Sequence, residues 1–165
     1  MPVTLRLLLV RHGLSSFNLE GRIQGRNDLS TLTDEGRQQS IETGKFLSDL
    51  PIDAIYSSPL QRAAKTTENL IKELRYKPET IFDEGLLEIN LGSWSGMTVN
   101  DVKNNFPEIY QLWKTRPQEI ILNDNNGNKF KPFKELASQV REFLMRLIKL
   151  HPVDKDETIL IVAHN

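Results

Sequence analysis

Cysteine is absent from this 165-residue chain, which excludes disulfides, thiolate nucleophiles and cysteine-held zinc. Neither charge dominates: 21 Lys and Arg stand against 22 Asp and Glu, a formal net charge of −1. Composition therefore gives no support for a nucleic-acid or membrane-surface partner. No apolar run approaches the roughly 20 residues of a membrane span. The N-terminal apolar stretch is too short for a signal peptide and is interrupted by Arg6. Repeats, linkers and low-complexity tracts are missing too. What remains is one domain over residues 1–165, large enough to bury a core. Its expected compartment is cytoplasmic.

Against these absences, short apolar runs stand out. Leu5 to Val10 reads as a buried strand, followed by a polar loop from Arg11 to about Leu32. Thr33 has the form of a helix N-cap, with Asp34 and Glu35 in the first turn where the dipole favours them. Ile41, Gly44, Phe46, Leu47 and Leu50 give that helix its stripe, and Pro51 ends it. Ile52 to Ser57 is a short strand; Ser58 and Pro59 then read as cap and first residue of a second helix. Thr80 to Phe82 is a weak strand, and Asp83 to Gly96 is irregular. Two short helices are expected over Thr98 to Phe106 and from Pro107 to about Trp113, a turn over Asn123 to Asn128, a long helix from Phe133 to about Leu150, and a last strand from Thr158 to Ala163. Alternation of this kind predicts an α/β fold, a three-layer αβα sandwich around a mostly parallel sheet. The chain stops two residues beyond its last strand, so the sheet is expected to look truncated at the C-terminus, with one flank bare.

Chemistry gathers at the strand ends, where open α/β sheets bind ligands. Arg11, His12 and Gly13 close the first strand, and His164 closes the last. The loop after Gly13 carries Arg22 and Arg26, the donors Ser15, Ser16, Asn18 and Gln24, and Gly21 and Gly25. Cations and polar donors on a glycine-rich backbone suit a phosphate, although an ordinary polar surface loop has the same composition. Arg62 falls in the first turn of the second helix, where a cation opposes the dipole and needs compensation; a bound anion would supply it. Glu88 lies between apolar residues, where partial burial would hold it protonated as a general acid; a rim carboxylate is the plainer alternative. His151, at a helix end, reads as structural.

Two patterns are decoys. Asp154 to Thr158 has the spacing of an aspartyl-phosphate motif but precedes a strand instead of following one. Asp124 to Asn128 resembles a calcium loop, yet Lys129 stands where the loop's turn needs glycine.

In order along the chain stand LLLVRHGLSSFN, GRIQG, LTDEG, IYSSPLQRAAKTTE, LLEINLGSWSG and ILIVAH. Together they resemble the histidine phosphatase superfamily, the phosphoglycerate mutase-like family. The resemblance implies that His12 is the nucleophile, forming a phosphohistidine. It implies that Arg11, Arg62 and His164 surround the transferring phosphoryl group, and that Glu88 protonates the leaving alkoxide. Asn18, Gln24 and Gly25, with Ser15 and Gly13, match positions that contact phosphate or substrate. No metal or cofactor is implied, because the arginines and histidines supply positive charge. The partner expected is a small phosphorylated substrate; a homodimer is admitted.

Mutases of this family read E-R-H-Y-G after the acid, followed by a lysine. Here Glu88-Ile-Asn-Leu-Gly92 stands there, with Val99 at the lysine position. That favours a metal-independent phosphomonoesterase, with phosphoglycerate mutase-type phosphotransfer as the alternative. A non-catalytic phosphate-binding module is the third reading, since the family pattern continues past His164 with a helix and a strand. Residues 97–132, with Phe106, Tyr110 and Trp113, are the expected lid that sets selectivity.

Overall fold

The computed structural model describes residues 4–165 except 125 and 153. In chain order its elements are β1 (Leu5–Arg11), α1 (Ser16–Leu19), α2 (Asp34–Leu47), β2 (Ala54–Ser57), α3 (Gln61–Glu73), β3 (Thr80–Phe82), α4 (Val99–Asn105), α5 (Pro107–Thr115), β4 (Leu122–Asn123), β5 (Lys129–Phe130), α6 (Pro132–Leu150) and β6 (Glu157–Ala163). The main sheet runs β1-β6-β2-β3 and is parallel throughout. The expected α/β sandwich around a parallel sheet is therefore present.

Topology explains the layers. From β1 to β2 to β3 the chain moves one way across the sheet, and α2 and α3 pack on one face through Leu47, Leu70 and Leu74 against Ile55, Leu160 and Val162. From β3 the chain turns back to insert β6 between β1 and β2. A crossover that reverses direction and stays right-handed must switch faces. Accordingly α6 lies on the opposite face, where Phe143 and Leu147 meet Ala54, Tyr56, Ile159 and Ile161. Beta6 is buried on both sides over Glu157 to Val162, as a central parallel strand should be. At the sheet's edge, on the α6 side of β1, Leu9 is 76% exposed.

Local sequence logic holds in places and fails in others. Thr33 caps α2 as expected, its Oγ1 accepting the Gly36 N–H at 2.9 Å. The buried face of that helix keeps only Gly44 and Leu47 of the expected stripe, however. It is Gly36, Ser40, Gly44 and Leu47, while Phe46 is 86% exposed. The interface is built of small residues because backbones meet there: a Cβ on Gly44 would lie 2.4 Å from the Leu70 carbonyl of α3. Ser58 and Pro59 do not begin α3, which starts at Gln61 with no side-chain cap from its own N-cap residue. Asp28 supplies the cap from the preceding loop, its Oδ1 accepting the Gln61 N–H at 2.7 Å. The polar loop after β1 contains the short helix α1, closed by a capping box between Ser15 and Asn18. Asp124 folds the turn back on itself by accepting the N–H groups of Asn126 and Asn128, and β4 and β5 flank it as a small hairpin; position 125 lies outside the described residues.

The segment after Gly96 packs around a separate cluster. Trp94, Val102, Ile120 and Leu122 are buried there with Ile23 and Leu91, and Phe106, Tyr110 and Trp113 pack around them. His151 ends α6 with both ring nitrogens engaged, Nδ1 with Glu157 Oε2 at 2.8 Å and Nε2 with the Tyr56 hydroxyl at 2.9 Å, which is the structural place expected of it. No helix among the described residues is long and apolar enough to cross a membrane.

Candidate active site

The adjacency of β1 and β6 decides the site. Arg11 pairs in register with Ala163, and the His12 N–H continues the ladder by donating to the Ala163 carbonyl at 3.0 Å. The next residues, His12 and His164, consequently emerge side by side, their ring centroids 5.3 Å apart.

His12 is buried. The Gly13 carbonyl lies 2.8 Å from its Nδ1 and has only lone pairs to offer. Nδ1 therefore carries the proton, and the lone pair is left on Nε2. Burial, with the nearby Arg62 and Arg11 charges, lowers the pKa of His12 to about 4, against the opposing pull of the Gly13 carbonyl. The ring is neutral at physiological pH. His164 is lowered further, to about 3, chiefly by burial and then by Arg62, His12 and Arg11. Its Nε2 lies 2.8 Å from Ser58 Oγ, and its buried Nδ1 has no hydrogen-bond partner among the described residues.

Arg62 reaches these rings from the first turn of α3, with no exposed surface. Its Nη2 donates to the Gly25 carbonyl at 2.8 Å and to Glu88 Oε2 at 2.5 Å, and its Nη1 to the Asn27 carbonyl at 3.1 Å. The compensation expected from an anion thus comes from the protein itself, although Nε stays buried with no partner among the described residues. Glu88 is raised above the ordinary glutamate value, because burial outweighs the stabilising pull of Arg62 and Arg11. Its Oε2 lies 3.6 Å from His164 Nδ1. Buried nitrogens of Arg62 and His164 without partners among the described residues, beside the Arg11 guanidinium, suit an acceptor-rich anion.

A cleft of about 330 Å³ opens onto this cluster. Arg11, His12, Asn18, Gln24 and Glu88 line one part of it, and Ile89, Val99, Trp113, Phe133 and Leu136 line the other. A larger hollow of about 540 Å³ lies against α6, lined by Asp83, Gln139 and Arg146 among others, and includes neither strand-end histidine.

The sequence-predicted residues sort into two groups. Arg11, His12, Asn18, Gln24, Arg62, Glu88 and His164 come together. Ser15, Gly13 and Gly25 serve differently from expectation. Ser15 is fully buried, its Oγ 2.8 Å from Asn18 Oδ1 and 2.9 Å from Gln24 Oε1, so it braces two cleft residues without reaching the cleft. The N–H of Gly13 is spent on Thr66 Oγ1 at 3.0 Å, and its missing side chain admits α2, since a Cβ would meet the Gly36 carbonyl at 2.3 Å. Gly25 has φ +51° and turns its carbonyl onto Arg62. Arg26 does not line this cleft; it donates to the Glu88 backbone carbonyl at 3.1 Å and to Gln139. Of the expected lid aromatics only Trp113 lines the cleft; Phe106 and Tyr110 pack in the cluster around Trp94. Ser58, read from sequence as a cap, proves to be the partner of His164, and no local pattern announces that contact.

The sequence model of the histidine phosphatase superfamily (branch 1) matches residues 7–165. The chain belongs to this superfamily. A probable 2-carboxy-D-arabinitol-1-phosphatase of Arabidopsis thaliana is 36% identical over the whole chain, and phosphoserine phosphatase 1 of Hydrogenobacter thermophilus is 33% identical over 96% of it. A 2,3-bisphosphoglycerate-dependent phosphoglycerate mutase of Bartonella henselae is 32% identical over the same share. The chain spans 32% of the length of the Arabidopsis relative, 70% of the Hydrogenobacter one and 75% of the Bartonella one. Among solved structures, YhfR of Bacillus stearothermophilus superposes with a TM-score of 0.83 at 32% identity, covering 98% of this chain and 74% of that one. This member of the superfamily therefore has both phosphatases and mutases among its relatives.

Proposed function

We propose that the protein is a phosphomonoesterase working through a phosphohistidine on His12. The observation that carries the reading is the state of that ring: neutral, with Nδ1 committed to Gly13 and the lone pair on Nε2. A neutral nucleophile is not repelled by a phosphomonoester dianion, as a carboxylate or thiolate would be. Nε2 attacks phosphorus, the N–P bond forms, and the ester P–O bond breaks with its electron pair on the departing oxygen. Glu88, whose pKa burial raises, passes a proton to the leaving alkoxide. Water then attacks the phosphohistidine and gives a proton to Glu88. The N–P electrons return to His12, releasing inorganic phosphate. Arg62, Arg11 and His164 hold the equatorial oxygens through both steps. These roles need no metal ion.

Phosphatase relatives support hydrolysis, and so does the cleft beyond the histidines. There Val99 and Leu136 are apolar, and the Arg22 guanidinium is already held by Glu20 and the Gly96 carbonyl. A carboxylate-bearing substrate finds few free cations on that side. Mutase relatives keep phosphotransfer between two positions of one substrate as a second reading, which a coupled isomerisation assay with bisphosphoglycerate separates from hydrolysis. The deciding experiment is turnover of 4-nitrophenyl phosphate in EDTA, with acid-quenched protein examined for an acid-labile phosphoryl adduct. Activity and adduct are expected in the parent chain, and both are lost in His12→Ala. Full turnover in His12→Ala overturns the proposal.

A further inference from the structure

Ser58 follows the end of β2 directly, and its N–H donates to the Val162 carbonyl of β6 at 2.9 Å. That bond fixes its hydroxyl beside the residue that closes β6. The Oγ lies 2.8 Å from His164 Nε2 and accepts the Leu60 N–H at 3.4 Å. A serine hydroxyl carries a single proton. Among the described residues, His164 Nε2 is the acceptor within reach of it. The neutral ring admits two arrangements. If Nε2 carried the ring proton, two donors would face each other across 2.8 Å unless the Ser58 hydroxyl turned away from every acceptor. The Nδ1 lone pair would then lie buried 3.6 Å from a Glu88 carboxyl oxygen, lone pair against lone pair. If Ser58 donates to Nε2, the ring proton sits on Nδ1 and faces the Glu88 carboxyl, so the Ser58 proton has its acceptor and no like groups oppose each other. Buried polar groups left without partners cost about 1–3 kcal/mol each, so the second arrangement prevails.

We propose that Ser58 is a positioning residue that fixes His164 as the Nδ1–H tautomer. The two histidines then carry their protons on the same ring atom but present opposite faces to the site. His12 has Nδ1 tied down and offers a lone pair at Nε2; His164 has Nε2 tied down and offers a proton donor at Nδ1. One attacks phosphorus and the other donates to a phosphoryl oxygen. This catalytic consequence rests on the phosphatase reading, whereas the tautomer itself does not.

The chain has three histidines, so ¹⁵N-histidine labelling gives a readable long-range ¹H–¹⁵N spectrum, and a His164→Gln spectrum assigns the relevant ring. At pH 7.5 the His164 Nδ1 is expected as a protonated, pyrrole-type nitrogen and Nε2 as a pyridine-type one. Ser58→Ala should move the ring toward Nε2–H, the usual form in water, and lower kcat at least tenfold on 4-nitrophenyl phosphate with a smaller change in KM. Ser58→Thr, which keeps the hydroxyl, should restore both signatures. An Nε2–H ring in the parent protein overturns the proposal by itself, whatever the variants do. So does a tautomer that Ser58→Ala leaves unchanged. If the expected spectrum appears in a protein that hydrolyses no phosphomonoester, the phosphatase reading falls and the tautomer assignment stands.

Discussion

Single side chains acquire their chemistry here from neighbours distant in sequence. Glu88 is the clearest instance. Its flanking apolar residues signalled burial, but the 2.5 Å bond from Arg62, which places the carboxyl beside the histidines, joins positions 26 residues apart. Its proton matters most when the leaving group is poor. Glu88→Gln is therefore expected to lower kcat on alkyl esters such as glycerol 3-phosphate by about 10²–10⁴-fold, the usual worth of general acid catalysis. The loss on 4-nitrophenyl phosphate, whose phenolate departs unaided, should be much smaller. Steady-state kinetics on the two substrates checks this, and equal losses on both would remove the acid role. His12 and His164 were legible because each closes an apolar run. Ser58 was not, because a serine before proline looks the same whether it caps a helix or holds a ring across the sheet.

At the scale of elements, much of the order and type of strands and helices could be read from apolar periodicity, including the central β6, whose continuous apolar run matches burial on both faces. What escaped were contacts made by the absence of side chains. The loop after β1 lies against α2 at Gly13 and Gly36, and a Cβ on Gly36 would fall 2.1 Å from the Leu14 carbonyl. Glycine at position 13 looks in sequence like a phosphate-binding turn, yet its work is to let backbone meet backbone. Gly13→Ala must push the His12 loop away from α2, because the clash is with a main-chain oxygen and no side chain can swing aside. We expect destabilisation of about 2–4 kcal/mol, toward the upper end for a point substitution, measured by urea unfolding, together with a fall in kcat because His12 moves with its neighbour. Ala at this position with unchanged stability would show that the loop has slack. The borrowed cap of α3 teaches the same lesson: Asp28 lies 33 residues before Gln61, beyond the reach of local capping rules.

For the molecule as a whole, the site makes folding pH-dependent. His12 and His164, at about 4 and about 3, sit below their ordinary value of 6.5. Below pH 6.5 the unfolded chain takes up protons that these rings refuse, so stability is fully present above 6.5 and is lost as pH falls toward 4 and then 3. Glu88 acts in the opposite sense, since its raised value favours the folded state at low pH. The two histidines by themselves make folding less favourable on acidification. A His12→Asn, His164→Asn double variant should therefore show a shallower fall in Tm between pH 7 and pH 5 than the parent, by differential scanning calorimetry; parallel slopes would refute the assignment. The sheet order carries a consequence of a different kind, one of timing. Beta6 lies between β1 and β2 but is synthesised after both. Until residues 157–163 leave the ribosome and insert, β1 has no neighbour in the main sheet and His12 has no companion ring. The histidine-bearing end of this sheet cannot exist half-built on a nascent chain; it arrives in one step, with the strand that joins β1 to β2.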